Sequence, residues 1–228
     1  LANIRLIKRR IRSVQNTAKI TRAMEMVAAS KMRKAQERGL AGRPYSEKLI
    51  QVIIDLAKAT QSREGSAIHP LLEKREDVKK IAMIMISPDR GMCGGLISNL
   101  NRKVGYFLLE KSAPAEIVAV GRKSVDFLKR SGRHITAEFT NMGDRPSFLD
   151  TLPISRIVLD EFSSGAVDEV YLAYSRFINT VNQEPVIEKL LPVDPELFAK
   201  MLGEPDSSGT SEELSSSQEV EHIYEPDA

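Results

Sequence analysis

Residues 1–38 contain neither Gly nor Pro, and a persistent apolar stripe runs through them. Ile4, Ile7, Ile11, Val14 and Ala18 follow alternating three- and four-residue steps. The same frame continues through Thr21, Glu25, Ala28, Met32 and Ala35. This is a heptad pattern with two polar interruptions, the signature of a helix built to pair with another helix. A second stripe, Ile20, Met24 and Val27, drifts beside the first, as a straight helix does when it departs from a 3.5-residue repeat. Gly39, Gly42 and Pro44 weaken the pattern, and Pro44 is a candidate kink. Apolar spacing resumes at Leu49, Val52, Ile53 and Leu56. A single helix of about 55 residues at 1.5 Å each would be roughly 80 Å long. No domain of this size buries such an element, so the helix is expected to project.

The rest of the chain divides by composition. Residues 59–78 read as a polar connector, with Gly65, Ser66 and Pro70 set among charges. Residues 79–192 alternate apolar runs with helical patterns. Ile81–Ile86 is a buried strand ended by Ser87-Pro88-Asp89, and a helix is expected over 96–110. A strand at 117–120, a helix at 122–130 and a strand at 135–139 follow. A helix at 146–163, disturbed by Pro153, and strands at 167–174 and 186–190 complete the series. Such alternation predicts an α/β domain with a mostly parallel, Rossmann-like sheet. Residues 193–228 lose periodicity. The stretch 203–218 holds six Ser, two Gly and one Pro and reads as an acidic, Ser-rich segment.

Charge follows the same divisions. Residues 1–43 hold 12 Lys/Arg against Glu25 and Glu37, a net of +10. The middle of the chain is neutral, and residues 203–228 hold eight Asp/Glu without a Lys or Arg, a net of −8. A basic head and an acidic tail imply charged partners. Residues 1–44 contain no aromatic side chain, so base stacking has no platform and nucleic acid is a poor fit. A helix that pairs along its stripe and shows basic flanks to acidic protein surfaces accounts for both features.

Several chemistries are disfavoured. The single Cys93 closes no disulfide within the chain and rules out a multi-cysteine metal site. The three His, at 69, 134 and 222, are too scattered for a metal centre. No run of 18 apolar residues offers a membrane span, and no signal sequence opens the chain. The turn Asp89-Arg90-Gly91-Met92-Cys93-Gly94-Gly95 sits where phosphate loops sit, but matches neither GxxxxGK[ST] nor GxGxxG. Its glycines are expected to serve a tight turn and close helix–sheet packing, with Cys93 a buried, inert thiol. Nothing else resembles a catalytic set. The residues alone therefore describe a projecting basic helix carrying an α/β domain. A nucleotide-binding protein and a basic-helix nucleic-acid binder remain the alternatives.

Longer motifs narrow this. The run from Ser13 to Lys34, SVQNTAKITRAMEMVAASKMRK, closely resembles the N-terminal helix of the F-type ATP synthase gamma subunit. The resemblance recurs in order at His69-Pro70, at Ser87–Leu96, at Phe177-Ile-Asn-Thr180 with Leu190-Leu-Pro192, and at Tyr224-Glu-Pro-Asp227. It implies a central rotor shaft without a cofactor or catalytic group of its own. The N-terminal helix would form a coiled coil with a C-terminal helix inside a hexamer of alpha and beta subunits. The α/β domain would sit with the epsilon subunit on the membrane ring of c subunits. No nucleic acid and no membrane span are implied. The location would be peripheral, on the cytoplasmic face of a bacterial plasma membrane. By resemblance, Arg22, Met24, Lys31, Arg33 and Lys34 meet acidic loops of beta. Ile4, Ile7, Ile11, Val14, Ala18, Ala28 and Met32 line the coiled coil, and Tyr224 and Glu225 face the c ring and epsilon. The family continues past Tyr224–Asp227 into a further helix. The sequence ends at Ala228, so a fragment or a truncated product is expected.

Overall fold

The computed structural model describes residues 4–61, 70–75, 77–111 and 113–194. Helix α1 runs from Ile4 to Gln61, 58 residues, and continues through Pro44. At 1.5 Å per residue it is roughly 87 Å long. A single 3₁₀ turn, Pro70–Leu72, leads into the α/β unit. There β1 (Ile81–Ile86), α2 (Leu96–Glu110), β2 (Ala115–Val120), α3 (Arg122–Arg130) and β3 (Ile135–Phe139) follow one another. Next come α4 (Phe148–Ser163), β4 (Glu169–Phe177) and β5 (Gln183–Leu191).

The five strands form one sheet in the order β3-β2-β1-β4-β5. The first four are parallel, and β5 returns antiparallel beside β4. The Rossmann-like expectation thus holds for four strands. The return of β5 brings the chain back to the edge of the sheet where β1 and β4 begin.

Each central strand faces two helical layers, which is why β1 is apolar at every position. Ile81, Met83 and Met85 pack with Leu100, Val104 and Leu108 of α2 and Val125 and Leu128 of α3. Ala82 and Ile84 face the other way, onto Ile154, Val158 and Phe162 of α4. Burying each of the larger side chains contributes roughly 1.5–3 kcal/mol. A polar cluster is also buried beside the core. Glu169 at the start of β4 accepts from Tyr171 Oη at 2.6 Å, Lys189 Nζ at 2.6 Å and Lys111 Nζ at 3.2 Å. Burial alone would raise the Glu169 carboxyl. The three donors outweigh it and hold the group below the usual carboxylate range.

Candidate functional site

Two surfaces meet in this fold: the shaft helix α1, and the loops at the edge of the sheet where the parallel strands end. Every described stripe residue on α1 is exposed, from Ile4 at 69% to Met32 at 43%. Ala18 and Ala28 are exposed as well. The stripe thus has no cover among the described residues. Arg22, Met24, Arg33 and Lys34 are also exposed on α1. Arg33 Nε holds Glu37 at 3.0 Å, one helical turn away.

Lys31 is different. Its Nζ lies 2.6 Å from Asp144 Oδ2, in the loop between β3 and α4. Arg38 Nη1 donates to the carbonyl of Asp144 at 3.4 Å. Residues 31 and 38 are two turns apart on one helix face, so a single loop residue ties both to the α/β unit. The hydrogen bond and charge of Lys31 hold the Asp144 carboxyl below its ordinary range, and the charges of Arg90 and Arg145 add to this.

The edge itself is organised by Ser87 and Asp89. Asp89 Oδ1 accepts from the Arg122 amide at 2.9 Å and Oδ2 from the Asn141 amide at 3.0 Å. Ser87 Oγ accepts from the Ser124 amide at 2.7 Å. The loop after β1 thus caps the first turn of α3, whose own residues supply no side-chain cap. Gly121 sits at the crossing with φ +93°. A Cβ there would lie 1.9 Å from the Ser87 carbonyl oxygen. The close approach expected of the glycines at 91, 94 and 95 falls instead on Gly121. Nothing stands within 4 Å of a Cβ at Gly91 or Gly94, and at Gly95 the neighbour is the mobile end of the Asn99 side chain. Gly94 and Met92 make the turn with φ of +58° and +63°. Cys93 is half-buried rather than buried, because the turn projects from the sheet instead of packing on it. Its Sγ lies 4.0 Å from the Arg90 carbonyl oxygen.

Sequence reasoning missed Asp144 and the linking role of Asp89. Asp89 was legible as a turn carboxylate following a strand. Asp144 carried no local signal, since its partner Lys31 is 113 residues away. Tyr224 and Glu225 lie outside the described residues. No group of His, Cys, Asp and Glu among the described residues is placed to hold a metal, and none of their helices is long and apolar enough to cross a membrane.

A projecting basic helix, bare along its stripe and tied to a small parallel-sheet unit, defines a stalk-type subunit of a larger assembly. The comparisons identify which. The family model described as ATP synthase matches residues 3–228. The ATP synthase gamma chain of Dehalococcoides mccartyi is 57% identical over 228 residues, all of this chain and 73% of the relative. That of Chloroflexus aurantiacus is 43% identical over 97% of this chain and 71% of its own length. The central stalk and c ring of the Tetrahymena thermophila mitochondrial ATP synthase contain a chain that superposes with a TM-score of 0.61. It is 25% identical and covers 76% of this chain and 72% of its own. The chain belongs to the gamma-subunit family of the F-type ATP synthases.

Proposed function

We infer that this chain serves as the central rotor shaft, with α1 as the element that carries torque. The observation that carries the reading is α1 itself: 58 continuous helical residues, with the stripe from Ile4 to Met32 exposed, and basic over its first two thirds. Torque transfer needs a stiff element that reaches beyond its own domain, and a helix of this length is one. In this role the stripe from Ile4 to Met32 pairs with the family's C-terminal helix, inside the hexamer of alpha and beta subunits. The α/β unit sits with epsilon on the c ring, and the Tyr224-Glu225 region faces the same side. The complex couples proton flow through the ring to ATP synthesis and hydrolysis in beta. The shaft supplies no catalytic group and works as a peripheral part of the complex, on the cytoplasmic face of a bacterial plasma membrane.

Arg22, Met24, Arg33 and Lys34 project freely enough to meet acidic loops on beta. Lys31 joins them by exchanging Asp144 for a carboxylate of the partner. Contacts of this kind are strong but not tied to one position, which suits a surface that visits three beta subunits in turn. The test is Arg33→Glu with Lys34→Glu in a complete gamma chain assembled with its partners. ATP-driven rotation or coupling should fall while assembly survives. Unchanged coupling would remove the charge contact from the mechanism.

A further inference from the structure

The α1–loop junction forms a cationic patch larger than its own carboxylates balance. Lys31, Lys34 and Arg38 share one face of α1. Arg90 and Arg145 flank the Asp144 to which that face is tied. Four cations thus gather about Asp144, with Lys34 beside them on the same helix face, and Asp144 itself is exposed, with 70% of its side chain open to solvent. The Lys34 side chain has no partner among the described residues, and neither the Arg90 nor the Arg145 guanidinium is hydrogen-bonded among them.

The chain also carries the complementary charge. Residues 203–228 hold eight Asp/Glu and no cation, with Glu212-Glu213 and Glu219/Glu221 in close succession. The structure fixes the chain at Asp194, ten residues before Glu204. The Val193 amide donates to the Leu71 carbonyl at 2.9 Å, and Lys74 Nζ holds Asp194 Oδ2 at 2.7 Å. That point lies at the edge where β4 begins, whereas the patch lies at the opposite edge. The nine residues of β4 put the two edges roughly 30 Å apart at about 3.3 Å per residue. Glu212 follows Asp194 by 18 residues, and such a chain spans up to about 60 Å. Glu212 and Glu213 are therefore on a tether of about twice the length they need.

We propose that the acidic segment 204–221 of this chain docks on the cationic patch formed by Lys31, Lys34, Arg38, Arg90 and Arg145. It covers there the basic surface that would otherwise meet acidic loops of beta. The competition with beta rests on the shaft reading above; the docking does not. Because the patch is exposed, the contact is governed by screening and yields to salt.

Cys93 supplies the probe, since its sulfur sits beside Arg90 and the chain has no other thiol. A nitroxide on Cys93 of the 228-residue chain should broaden the amide signals of residues 204–221 to less than half their intensity at about 0.01 M salt. The signals should return at about 1 M, as the Debye length shrinks from about 30 Å to about 3 Å. Arg38→Glu with Arg145→Glu should abolish the broadening. So should Glu212→Gln with Glu213→Gln, Glu219→Gln and Glu221→Gln, changes that leave the sheet untouched. Broadening that ignores both salt and these variants, or no broadening at all, overturns the docking. So does broadening seen only between labelled and unlabelled copies of the chain. In the assembled complex the four-Gln variant should raise ATP hydrolysis about twofold or more at low salt and leave it unchanged at high salt. Equal rates at low salt overturn the competition. Failure of the Arg33/Lys34 experiment would leave the label result to stand by itself.

Discussion

Gly121→Ala should be among the most damaging single-methyl changes in the α/β unit. Gly121 has φ +93° and ψ +144°, at the margin of a region open to glycine almost alone. The added Cβ would lie 1.9 Å from the Ser87 carbonyl oxygen, where ordinary contact begins near 3.4 Å. Ser87 cannot simply retreat. Its amide donates to the Val120 carbonyl at 2.8 Å and its Oγ accepts from the Ser124 amide at 2.7 Å. The Gly121 amide meanwhile donates to the Phe139 carbonyl at 2.7 Å. The backbone conformation costs about 1–3 kcal/mol. Displacing the crossing loosens two or three hydrogen bonds at about 0.5–1.5 kcal/mol each. The expected loss is about 3–5 kcal/mol. Gly132→Ala is the control: its φ is +64°, with nothing within 4 Å of a Cβ, so only the backbone cost of about 1–2 kcal/mol applies. Urea unfolding, followed by near-ultraviolet dichroism of the tyrosines that include buried Tyr171, reads the difference. With a urea slope of about 2 kcal/mol/M the Gly121 variant should melt about 2 M earlier, and the control about 0.5–1 M earlier. Equal shifts would show that the crossing yields and that the steric reasoning is wrong.

Amide exchange should find residues 5–35 of the 228-residue chain far less protected than Ile81–Ile86, because a lone helix draws most of its stability from packing. A peptide of the family's C-terminal helix should restore protection there, and strong protection in a proven monomer without it would refute the bare-stripe reading. Glu169→Gln should destabilise the α/β unit by about 2 kcal/mol at neutral pH, since it strips two partly buried ammonium groups of their shared carboxylate. Its folded carboxyl titrates below the unfolded one. Its contribution is therefore complete above the unfolded Glu value of about 4.3 and fades as pH falls through the folded value. The variant's stability should accordingly change less than the parent's through acid pH, and parallel pH profiles would refute the assignment.

The elements most legible in the sequence were those whose burial is one-sided or complete. Ile81–Ile86 and Leu96–Glu110 stand where the apolar pattern puts them, because both faces of β1 and one face of α2 are covered. The hairpin of β4 and β5 was read too short, at 167–174 and 186–190. The paired strands extend to Phe177 and begin at Gln183. Their outer rungs pair Ser175 with Pro185 and Arg176 with Glu184, and Arg176 Nη2 lies 2.6 Å from Glu188 Oε1, so the ladder there is held by backbone bonds and charge rather than by apolar alternation. Pro185 is tolerated because β5 is an edge strand. At the candidate site the basic residues of α1 were visible as charge. The loop residue that engages two of them, Asp144, was not, since nothing local marks contacts spanning 113 and 106 residues.

The hydrogen bond between Val193 and Leu71 closes the α/β unit at a single neck, with Lys74 and Asp194 as its clasp. Chain enters and leaves the unit at the same corner. The tie of Lys31 and Arg38 to Asp144 holds the opposite edge of the unit against the shaft, so the sheet is braced rather than free to swing. Insertions in loops away from the neck and from Asp144 would leave both fastenings unchanged.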